Sequence, residues 1–187
     1  MRKRRTTMWA LSVAFLFTLW LAQAAVGEPA KRLCISEMRS ETLFAHLLFL
    51  LLAAGAACFG LAAHRMRHRV SATLGALIAT CLLGAWVTPA TSAVHGVLAN
   101  VPLALLVLYA PLMLAYGGHP LWAVAVLAVV LVWNGLFLLA VFLLPAVHGY
   151  PEFQKANAIL FFGLLNFFYY RVLPSTPPLF DSGHTPS

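Results

Sequence analysis

Long apolar runs broken by short charged segments leave this chain very few ways to fold. The runs cover 43–63, 70–87, 92–116, 121–144 and 157–172, and a further one fills 8–26. A helix of ~20 apolar residues crosses the hydrocarbon core of a bilayer, with every backbone N–H and C=O satisfied within the segment. The expected fold is an all-α integral membrane protein, a bundle of five to six transmembrane helices. Composition agrees: 62% of the 187 residues are hydrophobic and only 9% are charged, too little polar surface to cover a water-soluble globule.

The first run has two readings. Residues 1–26 combine a basic head, Arg2 to Arg5, with an apolar core and the small-residue stretch Ala22-Gln23-Ala24. That is the build of a signal peptide cleaved after Ala24, and equally of a retained first helix. Both readings place the loop 27–42 on the same, extracytoplasmic side. A bundle over 43–173 follows, and 174–187 is a polar Pro/Ser/Thr-rich tail expected to be cytoplasmic and flexible.

Charge orients the bundle. Arg65, Arg67 and Arg69 crowd into AAHRMRHRV, and with Arg2 to Arg5 and Arg171 they fall on one side when the segments alternate. Positive charge is retained in the cytoplasm, which makes the expected location a bacterial inner membrane with a cytoplasmic C-terminus. The net charge of +7 is therefore topological. No basic face suited to nucleic acid is present, and the partners implied are the bilayer, other membrane subunits or a second copy of the chain. His64 and His68 have the i, i+4 spacing of a metal pair, but the three arginines between and beside them repel a cation and suit anionic headgroups.

Close helix packing is written into two runs. Ala53/Ala57 and Ala56/Gly60 in one, and Ser71, Gly75 and Ala79 in the next, have the small-xxx-small spacing that lets helix backbones approach. These two segments are expected to form a tight hairpin.

Candidate function is sparse. The run 92–116 carries Asn100, Pro102 and Pro111, so a kink or break is expected there. Broken helices line substrate paths in transporters. With the interior amides Asn134 and Asn166, Asn100 and Pro102 form a candidate ligand path, although kinking and interhelical bonding explain the same residues. No acidic residue or Lys lies deep in the later runs, so the carboxylates of proton relays are missing. A second set, His46, His95 and His148, falls at the extracytoplasmic ends of three runs and offers ligands for a transition metal or a haem. Helix capping and headgroup contact are the structural alternatives. Nucleophile elbows, phosphate loops and HExxH boxes are absent from the sequence.

The expected function is that of a small non-enzymatic membrane protein, acting in transport or as a subunit or assembly partner of a membrane complex. A haem- or metal-binding redox subunit is the alternative. Of the three cysteines only Cys34 lies in a polar segment, as a free thiol or a partner for another chain.

Overall fold

A computed structural model describes residues 2–27, 33–116 and 150–174, with short pieces at 124–125, 128–129, 132–133 and 135–136. Asn134, His148, most of the run 121–144 and most of the tail lie outside the described residues. Among the described residues the chain is helical. The helices are α1 (Arg2–Val26), α2 (Leu43–Arg65), α3 (Arg69–Val87), α4 (Ala93–Tyr116) and α5 (Tyr150–Phe167), which ends in a π-helical turn at Phe168–Val172. A short 3-10 helix, Glu37–Ser40, precedes α2. Three helical stretches, Thr6–Val26, Leu43–Arg65 and Arg69–Val87, are long and apolar enough to cross a membrane, and Ala93–Leu106 is a shorter apolar stretch.

Local chemistry sets the helix ends. Thr42 caps α2 by accepting the Phe44 N–H at 3.3 Å, and Ser92 caps α4 by accepting the His95 N–H at 3.1 Å. At the far end of α2 the chain closes a Schellman turn: the His68 N–H donates to Ala63 O at 2.9 Å and the Arg67 N–H to His64 O at 3.0 Å. Arg67 takes the left-handed position that glycine usually fills, at φ 63. His64 is exposed on α2 whereas His68 is buried at the start of α3, so the turn removes the pair from a common helix face.

The hairpin of α2 and α3 is the tightest contact. A Cβ on Gly75 would stand 2.5 Å from Gly60 Cα and 2.9 Å from Ala56 O, so backbone meets backbone with no room for a side chain. On the other face of α2, Gly55 admits the Phe162 ring of α5. Phe162 also packs on Phe15 of α1 at 4.8 Å between ring centroids, and Asn166 of α5 donates to Ser12 Oγ of α1 at 2.6 Å. A cross-helix amide bond of this kind contributes about 0.6–2 kcal/mol. Phe59, Tyr109 and Phe168 join α2, α4 and the π-turn in a second aromatic cluster, where Tyr109 also bonds Ser71 of α3.

Two helices differ in detail from the apolar runs: of the kink or break expected at Pro102 and Pro111, the break does not occur. Helix α4 runs on through Pro102 and Pro111 without a break. Each proline removes one backbone N–H, and the rest of the ladder carries the helix across. The last helix is described from Tyr150, ahead of the apolar run at 157. Pro151 and Glu152 suit its first described turn, since a fixed φ and a negative charge both favour a helix N-terminus.

Candidate functional site

The polar groups gather at the end of the bundle where α3 stops and α2, α4 and α5 begin. The C-terminal carbonyls of a helix have no partners within it. Here Arg39, on the loop before α2, supplies them. Its guanidinium donates to Ala85 O at 3.2 Å, to Trp86 O and to Thr88 O at 2.7 Å, and its Nε reaches Ser36 O at 3.2 Å. The cation lies 5.3 Å from the centre of the Phe49 ring, near enough for a cation–π contact. Partial burial lowers the pKa of this guanidinium from its ordinary value, and a guanidinium still stays charged.

Two of the sequence-nominated histidines join this clamp. Trp86 Nε1–H donates to His46 Nδ1 at 3.1 Å, so Nδ1 carries no proton and Nε2–H donates to Arg39 O at 3.1 Å. Both nitrogens of His46 are thus engaged by protein groups in one neutral tautomer. His95, 3% exposed, donates from Nδ1 to Ala85 O at 2.8 Å, the carbonyl that Arg39 also uses. Its Nε2 is buried and has no partner. Among the described residues no group of three or more His, Cys, Asp or Glu converges as metal ligands.

Beside the clamp lies a partly open cavity of about 80 Å³, lined by Phe49 and Leu52 of α2, Ala99, Asn100, Pro102 and Leu103 of α4, Gln154, Asn157, Ala158 and Phe161 of α5, and Ile35. Gln154 Oε1 accepts the Ile35 N–H at 2.7 Å and ties the loop before α2 to α5. Asn100 donates to Gly96 O at 2.7 Å on its own helix. Asn157 stands apart: it is 5% exposed, and neither its Nδ2 nor its Oδ1 has a hydrogen-bond partner. Buried primary amides are hydrogen-bonded as a rule, which makes Asn157 the polar group of this cavity with hydrogen-bonding capacity to spare.

Of the sequence-nominated path, the structure brings Asn100 and Pro102 together on this cavity. Asn166 lies elsewhere, bonded to Ser12 and beside a second, open groove with Trp9, Tyr170 and Arg171. Gln154, Asn157 and Arg39 are not among the residues that the sequence nominates. A polar residue at the first position of an apolar run was the available sign for Asn157.

Cys34 is buried in the adjoining loop, its backbone N–H held by Glu37 Oε2 at 2.7 Å. Burial first, and then the Glu37 charge, push its thiol up to about 12, with Lys155 opposing weakly. The fold favours the neutral thiol. Its stabilising share is whole below the ordinary thiol range and is lost as pH rises toward that value. In a chain with Cys58 and Cys81 replaced by alanine, maleimide labelling at pH 8 should run on the order of a thousand-fold slower than for a free thiol, and Glu37→Gln should speed it. Labelling at the free-thiol rate would show that the loop is open.

Comparison of the chain with protein families, with curated proteins and with solved structures finds no match.

Proposed function

We propose that the chain is a multi-pass protein of a bacterial inner membrane, with α1 retained as its first span and the C-terminus in the cytoplasm. It acts without catalysis, by holding or passing a small molecule within the bundle, alone or as a subunit of a larger membrane complex. Support for the membrane setting comes from large apolar side chains exposed along the helices, among them Trp9, Phe17 and Trp20 on α1 and Leu61, Val97 and Leu108 farther on. Exposed Arg65, Arg67 and Arg69 at the α2–α3 turn support the orientation. Packing of α1 against α2 and α5, with Ser12 bonded to Asn166, supports its retention.

The observation that carries the functional reading is the amide-bearing cavity between α2, α4 and α5. Ligand sites between membrane helices are apolar hollows with a few fixed polar groups. In a strain lacking the gene, a chain carrying Asn100→Leu and Pro102→Leu should reach the membrane at normal level and fail to restore the lost transport or growth. Full restoration by that variant would remove the cavity from the function.

The redox alternative retains one favourable observation. His95 holds its Nδ1–H on a carbonyl and leaves Nε2 free, the arrangement of a ligating histidine. His46, with both nitrogens engaged, does not supply the second ligand. Purified protein with neither a Soret band nor stoichiometric metal would end that reading.

A further inference from the structure

We infer that the cavity between α2, α4 and α5 is a binding site for a small uncharged molecule of the carboxamide type, held by the side chain of Asn157. The inference rests on the reading of the bundle as a ligand-holding membrane protein and adds the class of ligand. Three features of the cavity select that class.

Charge comes first. Among the described residues no ionisable side chain lines the cavity, whose walls are aliphatic and aromatic apart from Asn100, Gln154 and Asn157. An ion entering it would lose its hydration and gain no countercharge, so the occupant is neutral. Hydrogen bonding comes second. Gln154 Oε1 already accepts from Ile35 and Asn100 already donates to Gly96, whereas Asn157 has an N–H donor and a carbonyl acceptor in one planar group, both unpartnered and both buried in the wall, which a rotation of the side chain would present to the cavity. The group that meets both at once presents an acceptor and a donor side by side, as another carboxamide does. Size comes third. A space of about 80 Å³ equals the liquid volume of roughly two to three waters, which suits a molecule as small as acetamide.

Saturation-transfer NMR on the detergent-purified full chain tests this with three probes of similar shape: acetamide, acetone and acetate. Acetamide should receive saturation strongly, acetone, an acceptor only, more weakly, and acetate not at all. Two variants guard against misfolding. Asn157→Leu removes the amide, and Ala99→Leu fills the space from α4 while leaving the amide in place. Each should reduce the acetamide signal at least tenfold, with the helical circular dichroism retained. Equal signals from acetate and acetamide would overturn the inference, as would an acetamide signal unchanged in both variants. No signal from any probe, which leaves only water in the cavity, would overturn it too.

Flux through proteoliposomes separates this from the reading beneath it. Binding of acetamide with no passage faster than through empty vesicles upholds the ligand class and removes transport. Passage of acetate as fast as acetamide keeps transport and removes the class.

Discussion

Gly75→Leu is expected to separate α2 from α3 and to cost about 3 kcal/mol or more, enough to leave much of the protein unfolded in a mild detergent. The reason is geometric. A Cβ at this position lies 2.5 Å from Gly60 Cα and 2.6 Å from Gly60 N, and both are backbone atoms that no rotamer change can move. The helices must part along their length, and the dispersion contacts that hold membrane helices together fall off steeply with separation. Even alanine should cost about 2 kcal/mol here. Gly163 and Gly96 provide the control, because an added Cβ at either meets nothing within 4 Å. Gly163→Ala should be neutral, or should stabilise α5 by up to about 1 kcal/mol through helix propensity. Unfolding by added denaturing detergent, followed by circular dichroism, measures all three. A Gly75→Leu protein as stable as the parent would mean that α2 and α3 do not cross at this point.

That contact also shows what the sequence makes legible. Spacings such as Ser71, Gly75 and Ala79 are local, and so is the physics that reads them: small residues on one face of a helix allow another backbone to approach. The helical class followed from the apolar runs for the same reason, since three of the helices so formed are long and apolar enough to cross a membrane. Pro102 was visible as a disturbance, but a missing donor at one position does not decide whether a helix breaks, and α4 continues. The polar end was illegible because its contacts join residues far apart in the chain. Arg39 reads as one more loop cation until the end of α3 comes to rest beside it. Asn157 reads as the first residue of an apolar run until α5 is seen to be helical already at Tyr150 and to carry the amide into the bundle. His46 and His95 stand out in the sequence as ionisable groups at one depth. What the sequence could not show is that each would spend a ring nitrogen on the α3 terminus or on the residue that clamps it.

Arg39→Ala should destabilise the fold by about 2–3 kcal/mol, a large loss for a residue in a loop. Hydrogen bonds from a charged donor contribute about 1.5–3 kcal/mol each, and Arg39 makes them to three carbonyls at the end of α3. Partial exposure lets water replace some of them, so the loss is well below their sum. Arg39→Lys keeps the charge but not the fork of donors, and should recover less than half of the stability. Hydrogen exchange should quicken over the segment 84–95, where α3 ends and α4 begins, and stay slow at the Gly60–Gly75 crossing. The sharper test is coupling. Arg39 and His95 share Ala85 O, at 3.2 Å and 2.8 Å. With one donor gone the other still holds that oxygen, whereas the loss of both leaves it only the longer bond from Thr88 Oγ1 at 3.3 Å, so the second removal costs more than the first. Arg39→Ala with His95→Phe should therefore lose about 1 kcal/mol more than the two single changes added together. Strict additivity would mean that the two side chains act on α3 independently, and that the clamp is two separate caps.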